Sequence, residues 1–461
     1  MDGTTSRRSV PARGLALGCA LGLAVGATAS WLRLALTGTL VLDTGSPAYL
    51  VAALLLGGGL ALSGVCALRL ARKASALEPR TLLGLAVLVQ LCAFPALALT
   101  SRDLFSNLAY GELQRLGLNP YLHGPRAAGP ELLRDLVAPR WLDTPTAYGP
   151  ILSALGRLAA AAGAALGSPV WGAGAAFKLA MVLCSLATLL LAKGALERRG
   201  GEGREGFVLL AFGPLLAWEV SGQAHNDGVL VLALMAFVFA AERGRELPAV
   251  LALALGVVSK VAAAPLLVFY LLLIYRRSPG RALLLGLAAA ALCALAFAPY
   301  WHGLASLRGP GATLGGDVHR HAHSLADLLG LVLEPFAPRA ATVAYRLCWV
   351  GSLMACAAVF VRALLRARSL EGIVHEALAL LLVYCLTVPW FQPWYATWML
   401  PLLAVERAPG FRRLVGVYTV LTVVQWALPL DPVSTVAVNV WTAIAWGRLP
   451  HRPPEPGPAP A

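Results

Sequence analysis

SRDLFSNLAYGELQRLGLNPYLHGPRAAGPELLRDLVAPRWLDTPTAYGP, residues 101–150, is the stretch on which the reading of this chain turns. It is mostly polar and rich in turn formers, with Gly117-Leu118-Asn119-Pro120-Tyr121 and Tyr148-Gly149-Pro150 inside it. The sequence on either side reads as membrane. The bilayer core offers no hydrogen-bond partner to irregular backbone, so this stretch belongs in water or at the interface.

Composition points the same way. The 461 residues are 58% hydrophobic and 13% charged, with a mean hydropathy of +0.72. Ordinary soluble domains carry about a quarter charged residues. The expected fold is therefore all-α: a polytopic transmembrane helical bundle with interfacial helices in its first external loop. A net charge of +14 would suit nucleic acid. The basic residues, however, sit in short clusters between apolar runs, which is the positive-inside pattern and excludes a nucleic-acid partner. Arginine outnumbers lysine 33 to 4, and alanine and leucine dominate the spans. That usage indicates a bacterium with GC-rich DNA and hence the plasma membrane. The eight cysteines (Cys19, Cys66, Cys92, Cys184, Cys293, Cys348, Cys356 and Cys385) all fall in apolar runs without a metal spacing, so they read as packing residues.

Hydropathy gives fourteen candidate spans: 14–36, 48–68, 81–100, 171–192, 206–222, 227–241, 248–259, 262–275, 282–300, 341–361, 373–389, 394–405, 412–429 and 433–447. Two of them, 248–259 and 394–405, fall below the roughly 17 residues of a straight span and invite a broken, tilted or re-entrant path. The Ala-rich run 151–167 is placed at the outer surface as an interfacial helix. Ala27-Thr28-Ala29 resembles a signal-peptidase site, but the apolar run continues to Leu36, so it reads as an uncleaved first span. With residues 1–13 cytoplasmic, the inner connections hold 24 of the 37 basic residues, while the outer turns 38–47 and 430–432 hold none. Residues 14–447 then form the multi-span body, with external loops 101–170 and 301–340, and 448–461 a disordered, Pro-rich cytoplasmic tail.

Under this topology the unusual polar groups collect at the outer face, and an outward-facing active site is the economical explanation. Asp103 directly follows the third span, and Asn107, Tyr110 and Gln114 continue from it on one helical face. The spacing predicts a helix along the membrane surface, polar face toward a cavity. Asp103 reads either as a general base with raised proton affinity or as a helix-start acid paired with Arg102. Gly117 and Pro120 end that helix and position Tyr121, while Tyr148 opens the next one and is placed to stack on a sugar.

His225, Asn226 and Asp227 form a tight outer turn, either loop polarity or part of a ligand pathway. Lys260 lies between two apolar runs and needs an anion, such as a phosphate, or a snorkelling route. His319, Arg320, His321 and His323 suit a phosphate clamp or a solvated loop; the run lacks a zinc ligand set, so no metal is assigned. Trp390 to Tyr395, including Trp394, form either an interfacial aromatic belt or the mouth of a sugar or lipid site.

In order, Arg102-Asp103, Gly117 to Tyr121, Tyr148 to Pro150, His225 to Asp227, Lys260 and Pro393-Trp394-Tyr395 with Trp398 resemble the integral-membrane GT-C glycosyltransferases. The resemblance is closest to the polyprenol-phosphomannose-dependent alpha-1,6-mannosyltransferases of actinobacteria. It implies a hexosyltransferase with no nucleotide site inside that moves a sugar, mannose, from a polyprenyl-phosphate donor to a glycan or lipoglycan acceptor at the outer face; no cofactor is assigned. It implies that Asp103 is the base and that the reaction inverts the anomeric carbon. Lys260, with Arg102 or Arg320, would then hold the donor phosphate. His225, Asp227 and the neighbouring polar and aromatic groups Tyr121, Tyr148, Asn226, His319, His321, Trp394 and Tyr395 would face sugar or acceptor. The chain departs from the pattern at Phe105 and Asn107, where relatives carry tyrosines, and has only Glu112 as a second acid near Asp103 in sequence. The rival class is a transporter, or a flippase or ligase of lipid-linked glycans. Absence of an internal repeat and the gathering of polar groups at one surface weigh against transport.

Overall fold

The computed structural model describes residues 11–40, 45–128, 131–309, 324–428 and 432–450. The candidates His319, Arg320, His321 and His323 lie outside the described residues, as do most of the Pro-rich tail and the first ten residues.

The described residues form helices and connections without a β-strand. Helices α1 (Ala12–Thr37) and α2 (Pro47–Ala71) form an antiparallel pair, and α3 (Pro79–Ala93) packs on α1. The polar excursion supplies α4 (Asp103–Arg115), α5 (Glu131–Leu136) and α6 (Pro150–Ala165), and α7 (Trp171–Arg198) follows. Next come α8 (Arg204–Phe212), a π-helical turn Leu216–Gly222, α9 (Asp227–Ala241), α10 (Glu246–Val257), α11 (Ala264–Tyr275) and α12 (Pro279–Phe297). The last part holds α13 (Leu325–Leu333), α14 (Pro338–Arg366) and α15 (Leu370–Thr387). A 3-10 segment Pro393–Met399 then runs into α16 (Leu400–Leu403), followed by α17 (Pro409–Trp426) and α18 (Val433–Gly447). Proline opens many of these helices, where its missing N–H costs no intrahelical bond.

Among the described residues, six helices are long and apolar enough to cross a bilayer: α1, α2, α7, α12 with its extension to Tyr300, α14 and α15. Leu283, Leu284 and Leu287 of α12, and Leu347, Leu353 and Met354 of α14, are exposed. Such faces suit hydrocarbon, not water.

Most of the other expected spans are shorter or broken, although α17 is as long as α15. Residues 206–222 are not one helix: α8 stops at Phe212, Gly213-Pro214 interrupts it, and the π-helical turn follows. Residues 394–405 likewise become a 3-10 segment and the four-residue α16. Both segments are buried within the protein, where irregular backbone is tolerated because it does not face lipid.

The connections sort to two ends. At one end, Arg199 pairs with Glu242 and donates to the Val405 carbonyl at 2.7 Å. At that end too, Arg412 and Arg413 hold Glu205, Arg276 donates to the carbonyls of Ala367 and Leu364, and Arg204 reaches toward Ser75 and Leu77. These are the arginine-rich connections expected to share one face. At the other end, Asn119 Nδ2 donates to the Tyr300 carbonyl at 3.0 Å and lies 2.9 Å from His302 Nδ1, joining the two expected external loops.

Helix α4 departs from expectation. It is buried from Leu104 to Gln114, enclosed by α6, α7 and the loop after it, so it does not lie along a surface; of the expected polar face, Asp103 and Tyr110 turn toward a cavity together with Ser106, whereas Asn107 and Gln114 do not. Its polar side chains are satisfied by other elements instead: Tyr110 Oη donates to the Thr144 carbonyl at 2.8 Å, and Gln114 Nε2 to the Ser153 carbonyl at 2.6 Å. Its end follows the expected cap. Gly117 takes φ +80°, with Leu118 N–H donating to the Leu113 carbonyl and Gly117 N–H to the Gln114 carbonyl, a Schellman closure. Where α4 crosses α6, Gly111 meets Gly156; a Cβ on Gly111 would sit 2.1 Å from the Gly156 oxygen.

Candidate active site

A cavity of about 410 Å³ opens at the end of the bundle away from the arginine-rich connections. Its wall includes Arg102, Asp103, Ser106 and Tyr110 from the start of α4, Arg140, Trp141 and Tyr148 from the following loop, and Lys260. Trp390, Trp394, Tyr395 and Trp426 close it from the C-terminal half.

The chain positions Asp103 from two directions. Ser101 Oγ accepts the Asp103 N–H at 3.1 Å, starting α4 with an acid in its first turn. Just before it, Gln223 Oε1 accepts from Leu99 N–H at 2.8 Å and Thr100 N–H at 3.2 Å, while its amide donates to the Leu97 carbonyl at 2.9 Å. The Asp103 side chain is about 25% exposed. Tyr148 Oη donates to Asp103 Oδ2 at 3.2 Å, and His225 Nδ1 lies 3.8 Å from the same oxygen. Burial raises the Asp103 pKa above the ordinary carboxylate value, opposed by Lys260 and reinforced by Asp227. Burial, then the Asp103 charge, keeps the Tyr148 phenol protonated and a donor.

Lys260 reaches the cavity from the connection between α10 and α11. Its Nζ donates to Asp227 Oδ1 at 2.7 Å, and it lies over the Tyr148 ring at 5.5 Å and the Trp398 ring at 5.9 Å. Trp398 Nε1 donates to the same Asp227 oxygen at 2.6 Å. Gly149 lets this corner close: its N–H donates to the Ser259 carbonyl at 3.1 Å, and a Cβ there would stand 1.9 Å from the Val258 oxygen.

Several expected contact residues stand behind the cavity wall. His225, Asn226 and Asp227 are buried and absent from its lining. His225 stacks on Trp394 with ring centroids 3.8 Å apart, and Asn226 Nδ2 donates to Asn107 Oδ1 at 2.9 Å. Burial, then Lys260, holds the His225 imidazole well below its ordinary pKa, so it is neutral. Tyr121 is also buried; its Oη donates to the Tyr148 carbonyl at 2.7 Å. Glu112, the acid nearest Asp103 in sequence, pairs with Arg115 at the far end of α4. The acid that the fold brings near Asp103 is Asp227.

The sequence reading passed over three residues. Arg140 lines the cavity with its guanidinium 5.5 Å from the Trp141 ring and 5.0 Å from the Trp390 ring; its signal was a basic residue beside an aromatic in the same polar stretch. Trp426 closes the wall from the end of α17. Glu219 is fully buried with Oε2 3.3 Å from His225 Nε2; its signal was a lone carboxylate within an apolar run.

Alpha-(1->6)-mannopyranosyltransferase A of Mycobacterium tuberculosis is 30% identical over 216 residues, 46% of this chain and 41% of that protein. A probable alpha-(1->6)-mannopyranosyltransferase of Mycolicibacterium smegmatis is 31% identical over 147 residues, 31% of this chain and 26% of that protein. A second alpha-(1->6)-mannopyranosyltransferase of M. tuberculosis is 29% identical over 150 residues, 32% of this chain and 25% of that protein. The chain thus spans about two fifths of the first relative and about a quarter of the others. No solved structure matches. The profile described as MptA_B family, alpha-(1->6)-mannopyranosyltransferase, N-terminal domain, matches residues 12–276, a range that holds Asp103, Tyr148, the His225 turn and Lys260. Since that match covers more than half of the sequence, the chain belongs to the MptA_B family of alpha-(1->6)-mannopyranosyltransferases.

Proposed function

We propose that this protein is a membrane glycosyltransferase that moves mannose from a polyprenyl-phosphate donor to a hydroxyl of a glycan or lipoglycan acceptor. Its cavity faces the outside of a bacterial plasma membrane, and the arginine-rich end faces the cytoplasm. The observation that carries the reading is the wall of one cavity, where a partly desolvated carboxylate, Asp103, stands with the cations Arg102 and Lys260 and a rim of tryptophans. Family membership supplies the sugar and the class of reaction.

In this mechanism Asp103 takes the proton of the acceptor hydroxyl as that oxygen attacks the anomeric carbon. The bond to the phosphate oxygen breaks on the opposite face, so the configuration inverts. The phosphate leaves as an anion, with Arg102 and Lys260 stabilising the charge it gains. Such a leaving group needs no protonating acid, so one carboxylate suffices, unlike the pair used in glycoside hydrolysis. Trp394 and Tyr395 form the apolar wall against which a sugar ring packs.

The test is mannosyl transfer from labelled polyprenyl-phosphate mannose in isolated membranes. Asp103→Asn should insert normally and lose about 10²–10⁴-fold in rate. Retained transfer would remove Asp103 as the base. Wild-type membranes that leave the donor untouched would reject the reaction itself.

A further inference from the structure

Glu219 is a buried acid for which the mechanism above has no use. It lies in the π-helical turn Leu216–Gly222, a feature that concentrates at functional sites. Neither carboxyl oxygen has a hydrogen-bond partner among the described residues, and the polar atom facing them is His225 Nε2 at 3.3 Å. The backbone is bent to bring the two together. His225 N–H donates to the Glu219 carbonyl at 2.9 Å, and Ala224 between them takes φ +58°. A left-handed alanine persists only where its surroundings over-determine it.

The neighbouring charges leave little to support an anion at Glu219. Lys260 is bonded to Asp227, and Lys178 of α7 donates to the carbonyls of Ala96 and Gly222. Gln90 of α3 and Ser185 of α7 are hydrogen-bonded to Ser221, and the 393–399 segment offers aromatic rings. Asp103 and Asp227 are the other acids within electrostatic reach. A carboxyl so placed fits its surroundings as a donor, since a buried charge without water or a counter-ion is costly.

We propose that Glu219 donates its carboxyl proton to Nε2 of His225 and so fixes the imidazole in the Nδ1–H form that faces Asp103. Stacking on Trp394 sets the plane of the ring. Tyr148 and His225 then both address Oδ2 of Asp103, at 3.2 and 3.8 Å, and Oδ1 is left as the basic oxygen for the acceptor. Glu219 is thus a positioning residue acting through His225, as outer partners set the tautomer of a metal-bound histidine. The inference rests on Asp103 being the base.

The experiment uses the full chain in nanodiscs with polyprenyl-phosphate mannose as donor. Glu219→Gln keeps an N–H donor toward Nε2 and should retain kcat within about threefold, whereas Glu219→Met removes the donor and should lower kcat about 10–100-fold with donor KM unchanged. Raising the pH strips the Glu219 proton and releases the tautomer, so the wild type should lose activity on the alkaline side and Glu219→Gln should not. Glu219→Met with wild-type kcat would overturn the proposal. So would Glu219→Gln as impaired as Glu219→Met, or with the wild-type alkaline limb. Asp103→Asn separates the two claims. An active Asp103→Asn rejects the base, whereas an inactive Asp103→Asn beside a fully active Glu219→Met rejects only the role of Glu219.

Discussion

Desolvation and the nearby ammonium act in opposite senses on Asp103. The proposed base must be ionised, so activity should fall as the pH drops through the pKa of this carboxyl, which lies above its ordinary value because burial outweighs Lys260. The acid limb of kcat/KM should therefore sit above the roughly pH 4 of a solvated carboxylate. Lys260→Ala removes the cation that favours ionisation and should move that limb to higher pH; a limb that stays put would deny Lys260 this role. Tyr148→Phe, which removes the hydrogen bond to Oδ2, should shift it the same way. Lys260 also has a structural duty, since the Asp227 side chain it neutralises is only 1% exposed. Breaking a buried pair from one side costs about 3–5 kcal/mol. Lys260→Met should lower the unfolding temperature in detergent accordingly, and adding Asp227→Asn should restore much of the loss.

At the scale of elements, α4 shows what the sequence could and could not disclose. Its start at Asp103 and its end at Gly117 were legible, because a first-turn acid and a left-handed glycine are local signals. Its setting was not. The partners of Asn107 and Gln114 come from Asn226, Ser153 and Tyr300, and no local periodicity encodes contacts across 39 to 186 residues. The break at Gly213-Pro214 was visible in composition but masked by apolar residues on both sides, which made 206–222 look continuous. Lys260 between two apolar runs needs an anion, but its pairing with Asp227 depends on the packing of α9 against α10, which no local pattern encodes. The α4–α6 crossing yields a graded prediction. Gly117→Ala meets open space and pays only for its positive φ, about 1–2 kcal/mol. Gly111→Ala drives a methyl into the Gly156 carbonyl and should destabilise more and lower transfer, as thermal melts and transfer rates measured side by side would show.

For the whole molecule, the alternation of basic clusters along the sequence became a physical grouping of connections at one end of the bundle. The polar candidates from Asp103 to Lys260 share the other end. The proposed orientation follows from that separation. An impermeant thiol reagent applied to intact cells should label Leu304→Cys, whose position is exposed beside the first polar loop, and spare Arg72→Cys at the arginine-rich end. The reverse pattern would place the cavity in the cytoplasm and end the case for a lipid-borne donor. The eight native cysteines lie in helices and form no disulfide, so replacing them first removes background without opening a bridge.

Gln223 joins two parts of the molecule that are far apart in sequence. Its side-chain amide grips the backbone of Leu97, Leu99 and Thr100 on the approach to Asp103, and its own backbone adjoins the turn bearing Glu219 and His225. Asp103 and the His225 imidazole are therefore bolted to a common mount. Any adjustment to the proposed acceptor falls to the rim, where Arg140 lies against the rings of Trp141 and Trp390, while the interior keeps a fixed gauge.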